Sequence, residues 1–204
     1  MGLTPMSDRY PLPVYYDFAS TTCYVAHRVL GRLAPKIDEI GVELEWRPVD
    51  LTSLTGWRRG ARVVGPGREN ALRVAAELNV PVRMPGFWID SRLAHAVALG
   101  PSEDPAKEAV WRERIWTAVF EEGRDIGEKE EISVFLSEVQ ISTESGSGLA
   151  RLEEETERAR QAGIQGVPAF LIDAWPMAGI QDDQSMVAFF ERYARKRCRE
   201  NAAS

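Results

Sequence analysis

Cysteine and histidine are scarce in this sequence, with two residues of each among 204. Structural zinc sites take four ligands, mostly cysteine and histidine in close clusters, whereas Cys23 and Cys198 lie near opposite ends of the chain. We therefore expect no metal site. Two such cysteines also do not make the framework of a disulfide-rich secreted domain. A single bridge between them is the minor alternative at this stage.

Long apolar runs and an excess of positive charge are also missing. No stretch approaches the roughly 20 apolar residues of a membrane-spanning helix, and the first ten residues lack the apolar centre of a signal peptide. We therefore expect a cytoplasmic protein with no membrane partner. The formal net charge of -6 argues against nucleic acid, because its binding depends on cations that neutralise phosphates. The composition, 44% hydrophobic and 27% charged, is that of a globular protein with a core.

The first 50 residues alternate between strand and helix patterns. The aromatic and β-branched run at 13–18 predicts a buried strand, and the apolar spacing from Thr21 predicts a helix. Gly31 and Pro35 are expected to weaken that helix, and residues 42–49 alternate as a second strand. This βαβ order predicts parallel strands joined by a right-handed crossover.

The rest of the chain predicts a helical region inserted into an α/β scaffold. The expected elements are an irregular flap at 51–68, a short helix at 70–78, a helical block at 91–160, strands at 168–173 and 175–178, and a closing helix at 184–198. The predicted organisation is a first scaffold part at 11–90, the helical insert at 91–160 and a second scaffold part at 161–204.

The turn between the first strand and the first helix has the properties of an anion site. The unpaired amides and the dipole at a helix N-terminus stabilise a negative group such as a thiolate. Ser20 is expected at the exposed position of this turn, where its hydroxyl can donate a hydrogen bond to a thiolate. Cys23 lies one helical turn further along and is expected to be deeper.

Four short segments carry a resemblance to a known family. They are Ser20–Cys23, Glu122–Ile126, Val167–Pro168 and Ala178–Gln181. Together they resemble the DsbA-type thioredoxin superfamily over nearly the whole chain. The serine after Asp17–Phe18 is similar to the branch of 2-hydroxychromene-2-carboxylate isomerases and kappa-class glutathione transferases. The segment at 178–181 is similar to the DsbA-like oxidoreductases associated with polyketides. The resemblance implies a thioredoxin-like α/β fold with an inserted all-helical subdomain.

The resemblance also implies a set of site residues. Ser20 and Cys23 are the expected catalytic residues, and glutathione is the implied cosubstrate. Its implied binding residues are Thr21, Thr22, Val167, Pro168, Gln181 and Asp182. The bond between Val167 and Pro168 is implied to be cis, which lets the Val167 backbone pair with a peptide-like ligand. The alternative is that Pro168 only begins a strand.

The leading functional hypothesis is an enzyme that uses glutathione for isomerisation or transfer on a small unsaturated or aromatic substrate. A dithiol oxidase is not expected, because Ser20 cannot take part in a disulfide. One alternative is a thiol oxidoreductase that works through Cys23 alone. The other is a non-catalytic binding module on the same fold. The isomerase and transferase resemblance also implies a homodimer as one form of assembly.

Other residues carry weaker functional interpretations. The position of His27 is more typical of a partly exposed surface histidine than of a catalytic group. The position of His95 is more typical of a core or interface histidine than of a proton-transfer group. Cys198 is expected to be a surface thiol with no required function. Flap residues could grip the carboxylates of an acidic ligand, with a solvated loop as the alternative; they are Trp57, Arg58, Arg59 and Arg62. Three tryptophans either line a pocket or belong to the core; they are Trp88, Trp111 and Trp116.

Overall fold

The computed structural model describes residues 9–100, 105–139 and 147–202. The strands in these ranges are β1 (Tyr10–Tyr16), β2 (Val42–Pro48), β3 (Ala169–Ile172) and β4 (Trp175–Ala178). The helices are α1 (Thr21–Ile40), α2 (Leu51–Thr55), α3 (Pro66–Glu77), α4 (Arg92–Ala98), α5 (Pro105–Thr117), α6 (Lys129–Val139), α7 (Ser147–Gln161) and α8 (Asp183–Ala202). A π-helical turn, Ala118–Glu122, continues α5.

The four strands form one mixed sheet in the order β2-β1-β3-β4. β1 and β2 are parallel, with Val14 opposite Trp46, while β3 runs antiparallel to both β1 and β4. The predicted parallel βαβ unit and the α/β class are therefore confirmed. The fold is thioredoxin-like, with the helices α4 to α7 between β2 and β3 along the chain.

Helix α1 is longer and less interrupted than its sequence suggests. It runs for 20 residues through Pro35 and ends at Gly41, whose φ of 82° suits a residue without Cβ. Pro35 is exposed, and the opposite side of the helix is buried against the core through residues such as Val29 and Leu33. Packing of this apolar side outweighs the local cost of the proline.

Several other element boundaries differ from the predicted ones. The flap predicted to be irregular from residue 51 begins with the short helix α2, because the Asp50 carboxylate accepts from the Thr52 N–H and caps it. β1 begins at Tyr10, three residues before the strand predicted at 13–18, because the Tyr10 N–H donates to the Gly41 carbonyl, and the strand includes Pro11 and Pro13. Parts of the predicted helical block, 101–104 and 140–146, lie outside the described residues.

The helical region and the sheet share one hydrophobic core. Trp116 of α5 is fully buried, with its ring centroid 5.4 Å from Tyr16 and 5.3 Å from Phe18 at the end of β1. Trp111 is also fully buried. Both tryptophans thus belong to the core. Within the described ranges, no helix is both long and apolar enough to cross a membrane.

Candidate active site

Ser20 lies at the junction of β1 and α1 and caps the helix. Its Oγ accepts from the Cys23 N–H at 3.3 Å, and its backbone carbonyl accepts from Tyr24. The side chain of a serine in this position satisfies one of the helix's free amides. Ser20 is 4% exposed. It is therefore more enclosed than expected for the mouth of a site.

A chain of two hydroxyls connects this turn to the segment before β3. The Thr22 hydroxyl donates to the Val167 carbonyl at 3.1 Å, and Thr22 Oγ1 lies 3.0 Å from Ser20 Oγ. The bond between Val167 and Pro168 is cis. Four predicted site residues are therefore neighbours in space although about 145 positions separate the two segments.

The remaining predicted glutathione residues lie at two different depths. Thr21 is buried at 6% exposure in the first turn of α1. Gln181 and Asp182 are exposed and precede α8. The Asp182 carboxylate accepts from the backbone N–H and the hydroxyl of Ser185, and the backbone hydrogen bond lowers its pKa. Gly179, just before these residues, donates to the Pro168 carbonyl at 2.8 Å and so links this segment to the cis-proline segment.

Cys23 is a buried, neutral thiol in this structure. It is fully buried and makes no disulfide, and Cys198 is a free exposed cysteine. Burial raises the pKa of the Cys23 thiol to about 12, more than the hydrogen bond with Ser20 lowers it. The minor alternative of a bridge between Cys23 and Cys198 is thereby excluded for this conformation. In this buried position Cys23 supplies no thiolate at neutral pH.

Asp17 holds the turn in place, a role that the sequence did not reveal. It is fully buried; its Oδ1 accepts from the Ala19 N–H at 2.8 Å and its Oδ2 from the Leu51 N–H at 2.7 Å. One carboxylate thus joins the turn before Ser20 to the start of α2. The available signal was an acidic residue directly after a buried strand, where an unpaired charge would be costly.

Both histidines pack against aromatic residues, and His95 is the one that lies beside the turn. His95 is fully buried, stacks on Phe18 and has Nε2 3.3 Å from both the Phe18 N–H and Asp17 Oδ1. The core or interface interpretation of His95 fits this position. His27 lies 2.7 Å from Glu113, and burial lowers its pKa.

In the flap, Arg59 is held by ion pairs, while Trp57 and Arg62 each contact an aromatic ring. Arg59 forms ion pairs with Asp50 and with Asp90, the latter at 3.2 Å. Trp57 packs edge-on against Trp88 at 4.4 Å and is half exposed. Arg59 is therefore engaged within the protein. Arg58 and Arg62 are exposed, and the Arg62 guanidinium lies 6.0 Å from the centre of the Phe87 ring.

A cavity of about 590 Å³ is lined by Tyr24, which follows Ser20 by one turn along α1, and Ser20 itself is not among the lining residues. Its walls are mostly apolar and include Tyr24 stacked on Phe120 at 4.9 Å, with Arg28, Arg32 and Arg83 around them. This volume suits a small organic molecule. Across the described part of the chain, no group of three or more metal-ligating side chains occurs.

Comparison with known families gives one match that covers most of the chain. The model of the DSBA-like thioredoxin domain matches residues 12–193, which include the turn and the cis-proline segment. No curated protein matches.

Solved structures show the same architecture at low identity, with 38 matching chains. A 2-hydroxychromene-2-carboxylate isomerase has a TM-score of 0.67 and 19% identity, covering 95% of this chain and 98% of that one. The cytosolic disulfide reductase DsbM from Pseudomonas aeruginosa, solved with GSH, has a TM-score of 0.63 and 20% identity, with coverages of 91% and 99%. Reduced DsbA1 from Neisseria meningitidis has a TM-score of 0.60 and 16% identity, with coverages of 98% and 92%. At these identities the likeness shows the fold alone.

Proposed function

Because the chain belongs to the DSBA-like thioredoxin domain family, a family with both oxidoreductases and isomerases among its structural relatives, we propose that it is an enzyme using an external thiol. The thiol is glutathione, and the reaction is isomerisation or transfer on a small unsaturated or aromatic substrate. The observation that carries this proposal is a helix N-terminus with two hydroxyls beside it and a neighbouring cysteine that is buried and neutral.

The buried state of Cys23 favours a sulfur supplied from outside. Disulfide exchange requires an attacking thiolate and a second thiol within bonding reach. Ser20 provides no sulfur, and the raised pKa of Cys23 keeps its own sulfur protonated. The helix amides and hydroxyls at the turn can still stabilise a thiolate that arrives on a ligand.

Isomerisation suits such a site because it needs no net oxidation or reduction. The glutathione thiolate adds to an electrophilic carbon of the substrate, forming a C–S bond while the π electrons move to an adjacent acceptor group. Rotation about the former double bond follows. The electrons then return, the C–S bond breaks and the thiolate is released unchanged. In transfer, the same attack expels a leaving group and the C–S bond is kept.

Two relatives support this choice of cosubstrate and reaction. One solved relative is a 2-hydroxychromene-2-carboxylate isomerase, and another was solved with GSH. The cavity beside Tyr24, with its mostly apolar walls, has the volume for a small aromatic substrate.

Calorimetric titration with glutathione tests the proposal. We expect saturable binding of glutathione at millimolar concentration. S-methylglutathione cannot form a thiolate and should bind at least about tenfold more weakly, because a hydrogen bond to a charged group contributes about 1.5–3 kcal/mol. Ser20→Ala should weaken glutathione binding, whereas Ser137→Ala on the exposed side of α6 should not. Absence of saturable binding by the wild type would reject the proposal.

A thiol oxidoreductase working through Cys23 alone is the second candidate, since several structural relatives are disulfide enzymes. Native maleimide labelling of Cys198→Ser, which lacks the exposed thiol, separates the two, because this candidate requires Cys23 to react without unfolding. The third candidate is a binding module without turnover. A metabolite that raises the melting temperature without being converted would favour it.

A further inference from the structure

The direction of the hydrogen bonds in the Ser20–Thr22–Val167 chain follows from its chemistry. The Val167 carbonyl can only accept, so the single hydroxyl proton of Thr22 is donated to it at 3.1 Å. Thr22 Oγ1 can then only accept from Ser20 at 3.0 Å. Ser20 Oγ also accepts from the Cys23 N–H at 3.3 Å. While the Cys23 thiol is protonated and needs no donor, the proton of Ser20 is therefore directed at Thr22, and Ser20 is held in place from both sides.

Thr22 is also the more accessible of the two hydroxyl residues. Ser20 is 4% exposed, whereas Thr22 is only half-buried and contacts the cis-proline segment directly. A ligand that enters between the turn and Val167 therefore reaches the Thr22 hydroxyl before that of Ser20.

A peptide-like ligand changes the partner of Thr22. When an amide N–H of the ligand donates to the Val167 carbonyl in β fashion, it takes the acceptor that the Thr22 hydroxyl uses in the free protein. The freed hydroxyl can then turn towards the ligand's sulfur. Ser20 continues to donate to Thr22 Oγ1, which polarises the Thr22 O–H and strengthens its bond to an anion.

We propose that Thr22, rather than Ser20, is the catalytic residue whose hydroxyl contacts the bound glutathione thiolate, and that Ser20 acts behind it as a positioning residue. The thiol proton leaves to solvent water, and no covalent bond of the protein changes. This role of Thr22 rests on the proposed function and specifies which group activates the sulfur.

Three variants distinguish the two hydroxyls. The pH dependence of the ultraviolet thiolate absorbance of bound glutathione gives the pKa of its thiol. We expect Thr22→Val to raise this pKa by about one unit, which is a tenfold change in the ionisation constant. Thr22→Ser, which keeps a hydroxyl, should leave it close to the wild-type value. Ser20→Ala should raise it less than Thr22→Val does, because Thr22 can still donate.

For a ligand without an ionisable sulfur, we expect Thr22→Val not to weaken binding. In Thr22→Val the Val167 carbonyl has lost its internal donor, so S-methylglutathione should bind as tightly as to the wild type or up to about threefold more tightly. A purely structural loss would weaken both ligands together. Thr117→Val, a half-buried helical threonine away from the turn, serves as the matched control, and unfolding midpoints verify that each variant is folded.

The possible failures are distinguishable. If Ser20→Ala raises the thiol pKa as much as Thr22→Val or more, Ser20 is the direct donor and the role of Thr22 is rejected while the proposed function stands. An unchanged pKa of the glutathione thiol in Thr22→Val likewise rejects the role of Thr22. If wild-type protein binds no glutathione, the proposed function and the role of Thr22 are both rejected.

Discussion

At the scale of single residues, the turn between β1 and α1 depends on the fully buried carboxylate of Asp17. Asp17 accepts from two backbone amides on different segments, Ala19 and Leu51, with one oxygen each. An amide side chain cannot reproduce this, because one of its two terminal atoms is a donor. The negative charge of Asp17 is thus used to fix backbone, and its position explains why the turn is ordered without a metal or disulfide among the described residues.

Asp17→Asn should therefore destabilise the protein. In either orientation of the amide, an NH₂ group faces a backbone N–H, which leaves one buried donor unpaired. We expect a loss of about 2 kcal/mol in the free energy of unfolding, measured with urea. Asp38→Asn, which affects an exposed pair with Arg9, should change it by less than about 1 kcal/mol. Equal effects of the two substitutions would contradict the double-acceptor role of Asp17.

Cys23 should make stability decrease at alkaline pH. Its folded-state pKa, about 12, lies above the ordinary thiol value of 9.0 because the thiol is buried. The folded state therefore keeps the proton longer than the unfolded state does. The contribution of this group is complete below pH 9.0 and is lost as the pH rises towards 12, by at most about 1.4 kcal/mol per pH unit.

The measurement is the free energy of unfolding of wild type and Cys23→Ala between neutral pH and pH 11. Cys23→Ala should be less stable at neutral pH because a buried group is removed, yet the difference between the two proteins should shrink above pH 9.0. Tyr16, whose pKa burial also raises, is present in both proteins and cancels. A constant difference at every pH would show that Cys23 ionises as readily folded as unfolded.

At the scale of elements, close packing of α7 on α4 depends on Gly148. A Cβ placed there would lie 2.8 Å from the backbone Cα of Ala96, whereas one placed at Gly31 on α1 would meet no described atom within 4 Å. The two glycines therefore have different surroundings. The absence of a Cβ at Gly148 allows a close backbone contact between α7 and α4, whereas Gly31 has open space beside it.

Substitution of these two glycines by alanine should have opposite effects. Gly148→Ala should reduce the melting temperature, because α7 must move away from α4 or distort. Gly31→Ala should raise the free energy of unfolding by up to about 1 kcal/mol, because alanine loses less conformational entropy in a helix. Thermal unfolding by circular dichroism measures both. An unchanged melting temperature in Gly148→Ala would contradict a close backbone contact between α4 and α7.

Much of the element order was predictable from the sequence. The change from period two to helical spacing at Thr21 correctly indicated β1, α1 and β2. The end of α1 was harder to predict. Pro35 locally disfavours a helix, but burial of the opposite face of the helix keeps it continuous through this residue. The short helix α2 depends on the Asp50 cap inside a glycine- and arginine-rich stretch, a local signal that the composition of the flap obscured.

The sequence predicted that the turn and the proline segment meet, but it did not predict the geometry of their contact. The family resemblance indicated that the turn with Ser20 and Thr22 lies beside Val167 and Pro168. In the structure Thr22 is hydrogen-bonded to both Ser20 and Val167, and the bond from Val167 to Pro168 is cis. Sequence spacing does not specify which hydroxyl donates or which is nearer to solvent. It placed Ser20 at the mouth of the site, whereas only 4% of this residue is exposed.

At the scale of the whole molecule, Trp116 joins the helical region to the sheet. Its ring packs against Tyr16 and Phe18, which immediately precede the turn. The division of the chain at 90 and 160 stays a prediction about organisation. The shared core nevertheless implies that the helical region and the scaffold unfold together.

Trp116→Ala should consequently lower the free energy of unfolding by about 3–5 kcal/mol, since a large buried ring is removed. In the wild type, tryptophan fluorescence and far-ultraviolet circular dichroism should report one coincident urea transition. Two separated transitions would show that the helical region is an independent folding unit. Val110→Ala, at an exposed position of α5, is the matched control and should change little.

The difference in exposure between buried Cys23 and exposed Cys198 also affects how the number of subunits must be measured. Only Cys198, exposed on α8, is available to air oxidation, so a preparation kept without reductant should accumulate copies crosslinked near their C-terminal helices. Gel filtration of such material would count a chemical artefact as a dimer. A genuine association must persist in dithiothreitol and in Cys198→Ser.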